Sequence, residues 1–485
     1  MRCASVSQVR RMEKEAISGG TAEYELMLRA GIQAAHYIDH HFPGAGRFVI
    51  LCGGGNNGGD GLVAARYLKN APVIIFSTKE KSDFSGCAAN AVRDLPEDIP
   101  FTVRRKLNPA DFFPGDVIID ALLGIGFSGD KLRAEVENFI RCANETHLPI
   151  VALDLPSGIN GDSGAASLDG AVNAALTLTF GAAKNGLFYG DGAVLRGKLR
   201  VIGIGLSGKA DGLEIFSNRD AVEVIPRFAP ECHKNRRGRV LVWGSSPEYP
   251  GAAALTVAGA LKSGAGMVRC VSEADLNGRL CNAAIFRQLK NREKPESFIK
   301  ESDVLVCGCG WGSCATGENL RYALSFPGKV VLDADALNQI AREPALWQKR
   351  ENLLITPHPG EAARLMAAFG IFESRDRREN ALGLAKTLGC AVLFKGRDTV
   401  VATPGGRAVT IAAGSALLAT AGSGDVLAGI IGAAASWGLD ISDAAMLGAY
   451  IHGIAGESAP KIFAADELPD MAGKVVCELQ NNALF

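Results

Sequence analysis

One local pattern recurs along the chain and limits what it can fold into: a short apolar strand that ends in Gly, Asp or Ser, then a helix. Residues 47–52 (RFVILC) form the first such strand, followed by the run GGGNNGGDG and the helical GLVAARYLKN. Further strands are expected at residues 73–76, 117–120 and 150–154, and the block closes with 177–180 and 199–204. A second block restarts at residues 239–243 and continues through 267–271, 304–307, 330–333, 353–356 and 391–395. A hairpin is expected at 399–403 and 407–411, turned by Pro404, Gly405 and Gly406. Two Ala/Gly-rich helices, 424–437 and 442–458, finish the core. A helix between two strands carries the chain back along the sheet, so the second strand runs parallel to the first. Both blocks are therefore α/β, and the first reads as a doubly wound parallel sheet. No sequence repeat relates the two.

A chain of 485 residues exceeds one ordinary core. Residues 206–237 are polar and broken by Pro226 and Pro230, so the boundary is expected there, giving domains at 1–212 and 220–485. The net charge of −1 offers no electrostatic footprint for nucleic acid or an anionic membrane. No apolar run reaches the roughly 18 residues of a spanning helix. Residues 1–17 read as a charged amphipathic helix with Arg10, Arg11, Glu13, Lys14 and Glu15, without the apolar core of a signal peptide. A cytoplasmic homo-oligomer without nucleic-acid or membrane partners is expected. The twelve Cys include no CxxC pair and read as free thiols. Cys307, Cys309 and Cys314 lie close in sequence but lack a neighbouring His or second pair, and read as buried thiols rather than metal ligands. His36, His40 and His41 read as helix-end surface residues.

The run GGGNNGGDG (residues 53–61) sits between a strand and a helix. Glycines there let the backbone approach a ligand, and a helix N-terminus offers unpaired N–H groups to a phosphate. The run lacks the GxGxxG spacing of dinucleotide oxidoreductases and the Lys-Ser/Thr of a P-loop. A plain tight turn would not need the side-chain oxygens that Asn56, Asn57 and Asp60 add. Asp120 leads into ALLGIGFSGD and Asp154 into LPSGING at two further strand ends. Strand C-termini of a parallel sheet converge on one crevice, so Asn57, Asp120, Asp154 and Ser157 are expected to line one site. Oxygen ligands without His or Cys suit an alkali or alkaline-earth ion. Helix capping is the bland alternative, and the better one for Ser157 taken alone.

The runs GGGNNGGDG, DALLGIGFSG, DLPSGINGDSG and TLTFGAAKNG, in this order, resemble the NAD(P)H-hydrate epimerase family over roughly residues 1–210. The resemblance implies a Rossmann-like fold. It implies hydrate binding through Asn56, Asn57, Gly58, Gly59 and Asp60, and through Asp154. Gly124, Ile125, Gly126, Phe127, Ser128, Gly129 and Asp130 are implied as a second contact segment. A potassium ion is implied near Asn57, Asp120 and Ser157. Asp154 is the candidate proton-handling group, with its binding role the firmer of the two.

In the second block, residues 413–429 read AGSALLATAGSGDVLAG, and GSGD opens a long helix. Its first amides can hold a transferring phosphoryl group, and Asp425 in the first turn can accept a proton from a hydroxyl. Taken alone, Asp425 reads equally well as a helix cap. Lys395 ends a strand in LFKGRDT, His358 lies in the strand-end loop TPHPGE, and Asp333 and Asp335 lie in LDADALN. Each is individually unremarkable; together with GSGD they converge on an active site.

The runs HKNRRGRVLVWGSS, YPGAAALTVAGALKSGAGMV, CGCGWG, LDADALN, TPHPGE, LFKGRDT and AGSGDVLAG resemble the ADP-dependent NAD(P)H-hydrate dehydratase family over about residues 220–485. That resemblance implies a ribokinase-like fold, with ADP as phosphoryl donor accompanied by Mg2+. It implies nucleotide contacts at Lys395, Gly396, Arg397, Asp398, Thr399 and Gly424, and substrate contacts at Ala253, Gly310, His358 and Asp425, with Asp425 the catalytic base. The chain departs from the family pattern at Cys309, where Pro is usual, and at Trp311, where an aliphatic is usual. It departs again at Ser415 in place of Asn and Ser245 in place of Gly. A single chain would then epimerise hydrated NAD(P)H and dehydrate one epimer. The rivals are a ribokinase-like small-molecule kinase, and an N-terminal domain that serves as a non-catalytic interaction module. The intact NNGGD, Asp120 and Asp154 argue against the second rival.

Overall fold

The computed structural model describes residues 2–208, 210–228, 234–290, 293–460 and 462–481. The chain divides into two compact units, Arg2–Leu213 and Glu214–Phe485.

The first unit is built on β1 (Arg47–Cys52), β2 (Val73–Ser77), β3 (Phe101–Val103), β4 (Asp116–Ala121), β5 (Ile150–Leu153), β6 (Leu176–Phe180) and β7 (Lys198–Ile202). They form one sheet in the order β3-β2-β1-β4-β5-β6-β7, and every pair is parallel. The period of two along β1 sends Phe48 and Ile50 into one apolar layer and Val49 and Leu51 into the other. Buried on both faces, such a strand reads as an unbroken apolar run. Chain order reverses between β1 and β4, so the connections after these strands part to opposite faces and leave a crevice at their C-terminal ends. This is the Rossmann-like, doubly wound arrangement expected of the N-terminal half.

The helix after β1 spans Asn56–Tyr67, so it begins inside the Gly/Asn run rather than at Gly61. Gly is a poor helix former, and close packing overrides that preference here. A Cβ on Gly58 would lie 1.8 Å from the Gly53 carbonyl oxygen. Only a glycine lets this first turn fold down onto the strand end. The amphipathic helix expected over residues 1–17 is found at Val6–Ser18, opened by a Ser5–Gln8 capping box.

The second unit carries β8 (Glu214–Phe216), β9 (Arg239–Trp243), β10 (Met267–Ser272), β11 (Ile285–Gln288) and β12 (Val304–Cys307). It continues with β13 (Lys329–Leu332), β14 (Leu353–Ile355), β15 (Ala391–Phe394), β16 (Val400–Ala402) and β17 (Ala408–Ile411). The order is β11-β10-β9-β12-β13-β14-β15-β16-β17-β8, with antiparallel pairs only in the β15-β16-β17 hairpin run. Val240, Val242 and Val306 face the layer that holds the Ser423–Ser436 and Ile441–Glu457 helices. Leu241, Trp243 and Cys307 face the opposite layer.

The polar stretch 206–237 is more than a linker. Its Glu214–Phe216 segment pairs in parallel with β17, and its Asn218–Val224 segment is helical. Three residues are too few to show a period, and the buried Ile215 and Phe216 become legible only through that edge pairing. Pro230 and His233 lie outside the described residues. Among the described residues no helix is long and apolar enough to cross a membrane.

Candidate active sites

In the first unit a cavity of about 1130 Å³ opens at the C-terminal ends of the central strands. Asn56, Asn57, Asp60, Asp154 and each residue from 124 to 129 line it. Gly58 and Gly59 are buried beneath the wall. Asp130 stands outside it, and its carbonyl accepts bonds from Leu168 N (2.8 Å) and Ser167 Oγ (3.2 Å). A Cβ on Gly124 would lie 3.2 Å from Asp154 Oδ2 and 3.3 Å from Asn57 Cβ, which fixes how closely these segments meet.

Asp120 and Ser157 lie below the floor. Asp120 accepts bonds from Ser157 Oγ (2.6 Å), Ser157 N (2.8 Å) and Leu122 N (3.2 Å). Burial still pushes its carboxyl up to about 6 against those three donors. Ser157 Oγ also accepts from Leu123 N (2.8 Å), and Asn57 Nδ2 donates to Leu123 O (2.9 Å). Asn57 Oδ1 is buried with no hydrogen-bond partner among the described residues. A buried acceptor left unsatisfied costs about 1–3 kcal/mol, and a hard cation satisfies it. The donor set here is all oxygen, so Asn57, Asp120 and Ser157 fit an alkali ion.

Asp154 adopts φ +65°, a left-handed conformation uncommon outside Gly and Asn. Its N–H donates to Leu178 O (2.8 Å), and its Oδ2 accepts from Ile125 N (3.3 Å). Its Oδ1 accepts from Lys184 Nζ at 2.5 Å. The Lys184 side chain is 1% exposed. Its ammonium also donates to Phe180 O (2.7 Å) and Thr179 Oγ1 (3.2 Å), which uses all three of its protons. This lysine lies in the run TLTFGAAKNG and is not among the site residues identified from sequence. The signal was there: a lone charge in an apolar, Gly/Ala-rich strand end has to be buried and paired. Glu13, expected only on a charged helix, joins the cavity wall as well. Burial raises its carboxyl above the usual range, opposed by Lys184. Asp60 is raised well above that range by burial and by the neighbouring Asp154 and Glu13.

In the second unit the Ser423–Ser436 helix starts from Gly422 at φ +88°. A Cβ there would lie 2.4 Å from Leu255 Cδ1, so both the conformation and the packing require glycine. Beneath the first turn, the buried His452 places Nε2 3.0 Å from Ser423 O. Burial pushes this imidazole down to about 4, so it is neutral and donates to the carbonyl. His452, within the largely apolar Ile441–Glu457 helix, is not identified from sequence.

Asp425, in the first turn, is pushed up to about 7, chiefly by burial and then by the negative charge of Asp333. A hydrogen bond from Cys309 and the charge of Lys395 oppose the rise. Asp333 is buried, and its Oδ1 accepts from Lys395 Nζ at 2.6 Å; Glu361 Oε2 lies 3.8 Å from the same ammonium. A Cβ on Gly424 would lie 3.6 Å from Lys395 Nζ and 3.9 Å from Asp333 Oδ2. Gly424, Asp425, Lys395 and Asp333 therefore share one place.

His358 does not sit in a free loop. It caps the Pro359–Ala368 helix, its Nδ1 accepting from Gly360 N (3.0 Å) and Glu361 N (3.4 Å). Its Nε2 lies 3.4 Å from Glu361 Oε1, which ties it to the Lys395 group. Thr399 Oγ1 donates to Gly396 O (2.9 Å), closing a loop in which Gly396 and Asp398 have φ +143° and +52°. Arg397 is exposed there. Arg377, not identified from sequence, donates to Lys395 O (2.8 Å) and braces the loop.

Ala253 N donates to Ser245 Oγ (2.9 Å), and Ser245 N donates to Cys309 O (2.8 Å). Ser245 thus joins Ala253 to the Cys309–Gly310 turn. Ser415 caps a short helix, accepting from Leu417 N at 3.2 Å. Trp311 is 1% exposed, donates Nε1–H to Trp243 O (2.9 Å) and meets the Trp243 ring edge-on at 5.2 Å. It fills core instead of touching the site. Cys307 and Cys309 are buried as expected, and Cys314 is half-buried.

Two α/β units, each with a lysine–carboxylate centre at its strand ends, define a two-centre enzyme. Residues 23–186 match the sequence family described as YjeF-related protein N-terminus, and residues 240–477 match NAD(P)H-hydrate dehydratase. The chain is 36% identical over 472 residues to the bifunctional NAD(P)H-hydrate repair enzyme of Moorella thermoacetica, covering 90% of this chain and 88% of that one. It is 35% identical over 467 residues to the enzyme of the same name from Escherichia coli, covering 93% and 88%. A ribokinase-like superfamily protein from Enterococcus faecalis superposes with a TM-score of 0.51 at 22% identity, over 56% of this chain and 98% of its own. That likeness gives the second unit its ribokinase-like fold. The chain belongs to the family of bifunctional NAD(P)H-hydrate repair enzymes.

Proposed function

We propose that residues 1–212 interconvert the R and S hydrates of NADH and NADPH, and that residues 220–485 dehydrate the S form at the expense of ADP. In the hydrate, C6 of the nicotinamide ring carries a hydroxyl beside the ring nitrogen. The nitrogen lone pair expels it as water, leaving an iminium, and water returns to either face. The epimerase centre has to stabilise that cation and manage one proton. Asp154, held by Lys184 and Ile125 N, faces the cavity with its carboxylate fixed in direction. Asn57, Asp120 and Ser157 would hold potassium, which when bound supplies a fixed positive charge beneath the floor.

Dehydration needs a better leaving group than hydroxide. Transfer of the β-phosphoryl group of ADP to the C6 oxygen yields AMP and a phosphate ester. The ring nitrogen then expels phosphate, and loss of a C5 proton restores the dihydronicotinamide. Asp425 takes the proton from the C6 hydroxyl. The amides of the first helical turn and Lys395 stabilise the negative charge that develops on the phosphoryl group. A Mg2+ accompanying the nucleotide would find oxygen ligands on Asp333 and Glu361 and would neutralise phosphate charge when bound. His358, Ala253 and Gly310 border the substrate side, and residues 395–399 the nucleotide side.

The observation that carries this reading is Asp425. A carboxyl that titrates near 7, at an amide-rich helix start and beside a lysine, is matched to general base work at neutral pH. The test incubates the pure full chain with mixed hydrate epimers and ADP or ATP, following the near-ultraviolet absorbance of reduced cofactor. Its return, with consumption of both epimers, is the expected result. A stable phosphorylated product without reduced cofactor would make the second unit a small-molecule kinase instead. The same sample, analysed by gel filtration with light scattering, tests the expected homo-oligomer.

A further inference from the structure

The dehydratase centre gathers three metal-ligating groups that the reaction above uses only in part. Cys309 Sγ and one carboxylate oxygen each of Asp333 and Asp425 lie within 4.8 Å of one another. The thiol is 1% exposed, so it is directed into the protein rather than out to solvent. It reaches this place because Gly308, at φ +105°, and Gly310, at φ +64°, turn the chain sharply on either side of it.

We propose that Cys309, Asp333 and Asp425 form a site for a thiophilic divalent cation, Zn2+ or Cd2+, whose occupancy stops dehydration and leaves epimerisation running. The effect on dehydration rests on Asp425 being the base; the binding itself does not.

The 4.8 Å spread lies within reach of three ligands of a zinc centre. Bonds of about 2.3 Å to sulfur and about 2.1 Å to oxygen in a tetrahedral array set the donors about 3.5 Å apart. Side-chain movements of about 1 Å close the present spread. Charge favours a dication as well. Asp333, Glu361 and Asp425 surround one ammonium, that of Lys395. Lys395 occupies Asp333 Oδ1, while Oδ2 accepts no hydrogen bond among the described residues and can ligate without breaking that ion pair. Donor softness then selects the ion. A thiolate prefers Zn2+ or Cd2+, whereas Mg2+ keeps to oxygen and has no use for Cys309. On binding, the S–H bond breaks, the sulfur–metal bond forms, and the proton leaves to solvent; nothing is oxidised or reduced. A cation bound through one oxygen lowers the basicity of the whole Asp425 carboxylate, so it no longer takes the proton of the C6 hydroxyl efficiently. Among the described residues the first unit holds no comparable group of His, Cys, Asp and Glu.

Two readouts separate the claims. The first titrates the nucleotide-free full chain with Cd2+ and follows the ultraviolet thiolate-to-cadmium band in the native chain, Cys309→Ser and Cys309→Ala. One equivalent of the band is expected to vanish in both variants, and an unchanged band in both would overturn the site. The second measures both activities in the same sample against buffered Zn2+ with Mg2+ present. Dehydration is expected to fall at a Zn2+ concentration at least tenfold lower in the native chain than in Cys309→Ser, each relative to its own zinc-free rate. Equal sensitivity, or equal loss of epimerisation, would overturn the switch. A Cys309-dependent band without any effect of zinc on dehydration would leave the site standing and remove Asp425 as the base.

Discussion

The two centres share an inventory and differ in how tightly it is held. Each sets three carboxylates around one lysine: Glu13, Asp60 and Asp154 around Lys184, and Asp333, Glu361 and Asp425 around Lys395. Lys184 is 1% exposed and spends every proton on protein oxygens, whereas the Lys395 side chain is 18% exposed and borders Gly424. The first lysine is a strut that aims Asp154. The second keeps a direction open, as the proposed contact with phosphate requires. Similar charge can thus be committed to architecture or left available for chemistry, and burial decides which.

The largest expected effect breaks the comparison at its acidic member. Asp425→Asn keeps the shape and removes the proposed base, so dehydration should fall on the order of 10²–10⁴-fold. Epimerisation in the same molecule should stay within a factor of about two, since the substitution lies in the other compact unit. Hydrate epimers resolved by chromatography report both rates at once. A dehydration rate within tenfold of native would take Asp425 out of the reaction.

Next in size is the strut itself. Lys184→Met leaves Asp154 buried beside Thr179 and Phe180 O without its cation, a change worth about 3–5 kcal/mol. The loss should appear as early denaturant unfolding of the first unit. Lys395→Met should cost less stability, because its side chain is partly solvated, and should weaken dehydration and nucleotide affinity more. Equal destabilisation by the two changes would erase the distinction between strut and open group.

Much of this contrast was legible in the chain before any fold was known, and the part that was not has a physical cause. Strands such as 47–52 and 304–307 announce themselves because a buried parallel strand has to be apolar on both faces. The strand ends then locate Asp120, Asp154 and Lys395 without further help. Lys184, Glu13, Arg377 and His452 escaped because their roles depend on which distant segment lies opposite, and no period encodes that. Asn56–Asp60 looked like a loop because propensity opposes helix in glycine-rich runs, yet close approach to Gly53 makes that composition necessary. β3, β8 and β11 are three or four residues long, below the length at which alternation is readable.

A pH series sharpens the comparison with a smaller effect. With Asp425 titrating near 7, the dehydration rate under limiting substrate should rise about tenfold per unit below that value and level off above it. The epimerisation profile should be the same in native chain and Asp425→Asn. Stability carries the opposite sign. The folded carboxyl titrates near 7 and the unfolded one near 3.8, so the folded state retains a proton that the unfolded state releases between those values. Stability contributed by the protonated group is fully present below about pH 4 and is lost as pH rises through 7. Asp425→Asn should therefore melt higher than native at pH 8 and no higher at pH 4. A melting advantage independent of pH would assign the gain to packing instead.

The smallest expected effect tests whether the departures from family pattern near the second centre belong to its chemistry. Trp311 follows Gly310, an implied substrate contact, and stands where the family usually has an aliphatic. Its indole instead donates to Trp243 O and packs on the Trp243 ring in the layer away from Asp425. Trp311→Phe keeps most of the apolar area but leaves the Trp243 carbonyl only the longer bond from Gly308 N (3.4 Å) in place of the indole at 2.9 Å. A net loss of about 1 kcal/mol follows from the hydrogen bond, with some further loss from the smaller ring. The second unit should unfold at slightly lower denaturant with an unchanged slope, and KM for hydrate and nucleotide should hold. Were KM for the hydrate to rise tenfold with stability intact, the 308–311 turn would be reading substrate through its tryptophan. The second centre would then face its substrate through Trp311 as well as Gly310.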